Sequence, residues 1–209
     1  MAEPPRKLTV GAVLFEGFEL LDVFGPLELF GLLRDRVTVE LMAETVGPVR
    51  SSHGPAAVAE RTLDGAWRPD VLLVPGGIGT RKTVDHSRFM EPLVAMARDC
   101  AWVASVCTGA ALLARGGVLD GRSATTNKLA FAWVAGQGPR VNWVREARWV
   151  EDGKYFTSSG VAAGMDMALG LIERLFGREA SLSVAQRAEY EWHEDKTQDP
   201  FARRAGLAP

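Results

Sequence analysis

The stretch WVASVCTGAALLA, Trp102 to Ala114, changes character at its centre. Trp102 to Val106 is a short apolar run suited to a strand buried on both faces. Thr108 to Ala114 is a run of helix formers, ended by Gly116 and Gly117. A strand that feeds a helix through one tight turn is the repeating unit of a parallel sheet. Cys107, the residue at that turn, is then held over the carboxyl end of the sheet.

The flanking sequence repeats the unit. Val71 to Val74 (VLLV) reads as a fully apolar strand that ends in Pro75-Gly76-Gly77-Ile78-Gly79, and a helix from Phe89 to Asp99 leads back to Trp102. Upstream, Leu8 to Phe15 is a strand and Leu20 to Leu33 a helix interrupted near Gly25 and Pro26, followed by a strand from Val37 to Ala43. Val46 to Glu60, punctuated by Gly and Pro, forms a small hairpin beside the main sheet.

Downstream, a short strand spans Ser123 to Thr126 and a helix lies near Leu129 to Ala135. Trp143 to Val150 and Lys154 to Thr157 make a hairpin around Glu151-Asp152-Gly153, and helices near Gly164 to Phe176 and Ala180 to Glu191 follow. The sequence therefore predicts an α/β fold with a mainly parallel central sheet, helices on both faces and a small side hairpin. One domain spans residues 1–209, with its core at about residues 7–190. The tail from Asp195 to Pro209, with little apolar periodicity, is expected to pack loosely or against a partner subunit.

Bulk composition excludes several classes of function. With 209 residues and 47% hydrophobic side chains, the chain suffices for one buried sheet with its helices. Its 24 basic and 26 acidic residues leave a charge of −2, and no basic run tracks a phosphate backbone, so nucleic acid is not an expected partner. No apolar stretch reaches membrane-spanning length and MAEPPRK lacks the apolar core of a secretory signal, so no membrane partner and a cytoplasmic location are expected. Cys100 and Cys107 are separated by a strand that holds them on the order of 20 Å apart, beyond disulfide reach.

Three features carry chemistry. At a helix amino terminus, Cys107 is expected to have its thiolate favoured by unpaired N–H groups and the helix dipole. A buried, inert cysteine is the alternative, but the turn favours a nucleophile. Gly76 and Gly77, with Ile78 beside them, end the neighbouring strand, where glycine lets backbone N–H groups converge on a substrate as an oxyanion-type cradle. Asp22, set among Leu20, Leu21, Val23 and Phe24, either caps its helix or is a buried carboxyl able to move a proton.

These segments occur together in one known superfamily. The opening DxxGP motif (Asp22 to Pro26), the VPGG loop, SVCTGA, GRSATTNK and SSGVAAGMD stand in the order found in ThiJ/PfpI proteins, and the likeness runs from about Leu8 to Tyr190. Within that superfamily the chain most resembles the isonitrile (cyclohexyl isocyanide) hydratases, with Asp in the opening motif and Cys-Thr at the turn. The resemblance implies a flavodoxin-like sandwich, a homodimer, Cys107 and Asp22 as the catalytic pair, and Gly77 and Thr108 as backbone donors around a small apolar substrate. Phe24, Ile78 and Val161 are expected to line the pocket. No cofactor is implied.

Other readings fit less of the sequence. Cysteine–histidine chemistry (protease, amidotransferase, glyoxalase) meets Thr108 where the family places histidine, and His53, His86 and His193 fall at no family catalytic position. The histidines also lack metal-ligand spacing, so no metal is expected. A redox sensor built on an oxidisable Cys107 is the main alternative. The ligand-sensing domain of AraC-type regulators shares the fold but continues into a helix-turn-helix region, which is not expected in this chain.

Overall fold

The computed structural model describes residues 6–208, so the sequence readings at residues 1–5 and at Pro209 lie outside the described residues. The first half comprises β1 (Leu8–Val13), α1 (Leu20–Gly31), β2 (Val37–Ala43), β3 (Gly47–Arg50), β4 (Ala56–Ala59), β5 (Arg61–Thr62) and β6 (Val71–Val74). Next come α2 (Thr80–Thr83), α3 (Ser87–Asp99), β7 (Trp102–Ser105), α4 (Gly109–Arg115), β8 (Ser123–Ala124), α5 (Phe131–Gln137) and β9 (Asn142–Trp143). The chain closes with β10 (Trp149–Asp152), β11 (Tyr155–Ser158), α6 (Ala163–Phe176), α7 (Arg178–Arg187) and α8 (Pro200–Arg204).

Seven strands form the central sheet in the order β10-β11-β7-β6-β1-β2-β5, and every neighbouring pair is parallel except β10 with β11. Each residue of β6 is buried, as a strand covered by helices on both faces requires. The order reverses between β6 and β1, and at such a switch point the strand ends diverge to leave a crevice. Asp22, Gly76 and Cys107 follow β1, β6 and β7 respectively, so all three converge there. The side hairpin is present as antiparallel β3 and β4.

Three sequence expectations need correction. Helix α1 runs unbroken through Gly25 and Pro26. An internal proline removes one hydrogen bond and costs about 3 kcal/mol in an isolated helix, but here α1 is packed tightly on α6. A Cβ at Gly25 would stand 2.9 Å from Met165 Cγ. The stretch Trp143 to Val150 is not one strand: Asn142–Trp143 pairs in parallel with Ser123–Ala124, and only Trp149 onward enters the sheet.

The tail is the third correction, because it packs against its own chain. Arg148 N–H donates to Lys196 O (2.9 Å), Asp199 N–H donates to Glu146 O (2.7 Å), and the Asp199 carboxylate caps α8 by accepting from Phe201 N–H at 3.0 Å. Apolar periodicity could not reveal this docking because backbone bonds and buried charges make it.

Candidate active site

Cys107 stands on the turn between β7 and α4 with φ 56°, a left-handed conformation that is strained for a residue with a side chain. The main chain is pinned on both sides: its N–H donates to Ser159 O (3.0 Å) and its carbonyl accepts from Thr126 Oγ1 (2.7 Å). The thiol is 6% exposed and accepts a hydrogen bond from Asn127 Nδ2 at 3.2 Å. Asn127 is oriented in turn, since its Oδ1 accepts from Ala130 N–H (3.0 Å) and so turns the amide nitrogen toward sulfur.

Asp22 is fully buried on the first turn of α1. Its Oδ2 accepts from Gly76 N–H at 2.8 Å, whereas Oδ1 is buried without a hydrogen-bond partner. Burial pushes the carboxyl up to about 7, aided by the charge of Glu19 and opposed by the Gly76 N–H and the Cys107 thiol. Near neutrality it therefore exchanges a proton readily.

The expectation of a lowered thiol pKa does not hold. Burial, reinforced by the negative charge of Asp22, pushes Cys107 up to about 12. The Thr108 N–H, the Asn127 amide and the Val161 N–H act in the opposite direction. Helix α4 has only seven residues, and its amino terminus does not outweigh desolvation. Asp22 and Cys107 are thus both protonated below about pH 7, and a thiolate forms as its proton is taken up nearby.

The glycine loop also differs from expectation. Gly76 N–H is committed to Asp22, and Gly77 N–H donates to Thr108 Oγ1 (3.1 Å), so neither points into open space. The close approach explains the residue type: a Cβ at Gly76 would lie 2.5 Å from Thr108 N and 2.9 Å from Asp22 Oδ2. Thr108 is buried, and its hydroxyl also accepts from Thr80 Oγ1 at 3.1 Å. Ile78 is 62% exposed and Phe24 42%, so neither is enclosed in a pocket lining; Val161, at φ 37°, takes part through its backbone.

Sequence reasoning assigned no role to Asn127, although it stands in the quoted segment GRSATTNK. No local pattern marks an amide that reaches a sulfur 20 residues away. The adjoining Gly160 is a further sign, because a Cβ there would sit 2.6 Å from Asn127 Nδ2. The histidines lie elsewhere, beside Glu19 (His53), Glu44 (His86) and Asp166 (His193). Among the described residues no three His, Cys, Asp or Glu side chains cluster as metal ligands, and both cysteines are free.

The pattern of the DJ-1/PfpI family matches residues 9–174. The chain belongs to the DJ-1/PfpI family. Among curated DJ-1/PfpI relatives, the isonitrile hydratase of Pseudomonas putida is 33% identical over 183 residues, covering 88% of this chain and 78% of that protein. The HTH-type transcriptional regulator GbdR of Pseudomonas aeruginosa is 30% identical over 90% of this chain, which spans only 53% of the regulator. A ThiJ/PfpI family protein from Pseudomonas syringae superposes with a TM-score of 0.83 at 25% identity, covering 98% of this chain and 86% of that one. Drosophila melanogaster DJ-1beta (TM-score 0.76, 21% identity, 90% and 100% coverage) shares the fold of this DJ-1/PfpI chain.

Proposed function

We propose that this protein is an isonitrile hydratase-like lyase, adding water to an isocyanide to give an N-substituted formamide. The carrying observation is the pairing of Cys107 with a buried carboxyl, Asp22, whose proton affinity is raised to about 7. The likeness to the Pseudomonas putida isonitrile hydratase supports the substrate class.

In the first half-reaction Asp22 takes the thiol proton, Cys107 Sγ bonds to the terminal isocyanide carbon, and Asp22 returns the proton to that carbon. The product is a thioimidate, Cys–S–CH=N–R. Asn127 and the N–H groups of Thr108 and Val161 stabilise the sulfur's negative charge before attack and again when it leaves. In the second half, Asp22 takes a proton from water as the hydroxide adds to carbon, then passes that proton to nitrogen. The C–S bond breaks, the carbonyl forms, and the remaining hydroxyl proton restores the thiol. Every proton moves within the site, and the reaction as written uses no cofactor.

An uncharged apolar substrate suits a thiol and a carboxyl that are both buried, Cys107 at 6% exposure and Asp22 at 0%, while α1 turns Leu21 and Phe24 outward to solvent. The same exposed face of α1 supports the homodimer implied by the family resemblance. The test is formation of N-cyclohexylformamide from cyclohexyl isocyanide by the purified protein, with Cys107→Ala and Asp22→Asn as controls. The redox-sensor reading is the less favoured one, because a thiol pushed up to about 12 is little ionised at rest.

A further inference from the structure

The turn that carries Asn127 is fastened from behind by a lysine. Lys128 is 5% exposed, an unusual position for a charged side chain without close partners. Its Nζ donates to Thr125 Oγ1 (2.8 Å) and to Ala147 O (2.6 Å). Thr125 is itself fixed, its hydroxyl donating to Val144 O (2.8 Å) and its N–H to Thr157 Oγ1 (2.9 Å). One ammonium therefore ties both ends of the Thr125–Lys128 turn to the segment entering β10. Within the turn, Thr126 grips the Cys107 carbonyl and Asn127 grips the sulfur.

The residue after Ala147 completes the frame. Arg148 O accepts from Ser159 N–H (2.8 Å), and Ser159 O accepts from Cys107 N–H. Its guanidinium, 2.6 Å from Asp166 Oδ2, also faces Asp199 of the tail at 3.9 Å. Burial lowers Lys128 to about 8, with Asp199 opposing that shift and Arg148 adding to it, which leaves the side chain mainly cationic at neutral pH. Charge-assisted bonds within the turn, to Thr125, and across to the segment entering β10, at Ala147, give the turn a rigidity that an apolar side chain of the same length would not.

We propose that Lys128 is a positioning residue for Cys107, holding the turn so that the Asn127 amide donates to the sulfur. The inference rests on the reading of Cys107 as the reactive group. Loss of a hydrogen bond to a charged sulfur raises the thiol pKa by about one unit and slows its reaction at fixed pH about ten-fold.

The experiment follows alkylation of Cys107 by iodoacetamide in the full chain between pH 6 and 10. Peptide mass spectrometry separates Cys107 from Cys100. Asn127→Leu and Lys128→Met should each slow alkylation about ten-fold at every pH in that range, a displacement of the rising rate–pH line by about one unit, and the double variant should be no slower than the slower single. Effects that multiply in the double variant, or a wild-type profile in Lys128→Met, would overturn the proposal. Thr125→Val removes one acceptor without changing shape, and it decides the matter if Lys128→Met fails to fold: slowed alkylation upholds the proposal and wild-type alkylation ends it. Formamide formation from cyclohexyl isocyanide that survives in Cys107→Ala removes the reactive-thiol reading as well, whereas alkylation of Cys107 indifferent to Lys128 removes this proposal alone.

Discussion

Gly76 N–H donates to Asp22 Oδ2 at 2.8 Å, so the glycine loop at the end of β6 serves the acid. The bond orients the carboxyl, while the burial of Oδ1 without a partner raises its proton affinity. A carboxyl titrating near 7 can take the thiol proton and then deliver it to carbon at neutral pH.

Stability should therefore fall as pH rises. The Asp22 pKa is raised from 3.8 to about 7 in the folded protein, so the native state binds more protons than the unfolded chain between those values. Stability is then greatest at the acid end of that window as far as this group is concerned, and decreases up to about pH 7 by roughly 4 kcal/mol. Asp22→Asn cannot ionise and should flatten this slope. Urea denaturation at pH 5 and pH 8 compares the two proteins, and equal slopes would show that the burial of Asp22 is not costing stability.

Gly76→Ala should damage the site through geometry alone. Its Cβ would stand 2.5 Å from Thr108 N and 2.9 Å from Asp22 Oδ2, both held by their own elements. Overpacking of this kind costs about 1–3 kcal/mol, and displacement of Asp22 should also lower turnover at least ten-fold. Thermal melting and initial rates measure the two effects, and a variant with wild-type values for both would contradict the described packing.

The strain at Cys107 is measurable once its chemistry is removed. At φ 56° a residue with a Cβ is disfavoured by about 1 kcal/mol or more relative to glycine. Cys107→Gly should accordingly be more stable than Cys107→Ala, with both inactive. Denaturant midpoints of the two variants give the answer, and the reverse order would mean that the turn relaxes when the thiol is absent.

Arg148 and Asp166 form a buried pair, with Tyr190 Oη donating to the other carboxylate oxygen at 3.0 Å. Asp166→Ala leaves the guanidinium without its nearest counter-charge and should cost about 3–5 kcal/mol. Arg148→Met combined with Asp166→Leu should recover much of that loss, as judged by the unfolding midpoint. A double variant as unstable as Asp166→Ala would show that the pair itself, and not its isolated charge, carries the stability.

Legibility in the sequence followed the physics of each feature. Val71 to Val74 and Trp102 to Ser105 are apolar runs that only a sheet covered on both faces can use, so the parallel core was readable. Cys107 and Asp22 stood out because each breaks such a pattern beside a turn. Asn127 and Lys128 did not, because their roles depend on contacts with Cys107 and Ala147 about 20 residues away. The α1 helix was misread at Pro26 because local propensity ignores its packing on Met165. The helix-terminus argument for Cys107 also failed locally, since 6% exposure decides a thiol pKa more strongly than one short helix.

The most direct test of the account is the rate of N-cyclohexylformamide formation from cyclohexyl isocyanide by the wild-type protein, Cys107→Ala and Asp22→Asn under identical conditions. The account predicts turnover by the wild type and loss of at least a hundred-fold in each variant, on the order of a positioned acid or nucleophile's contribution. Wild-type protein that forms no formamide, or variants that retain full turnover, would contradict it.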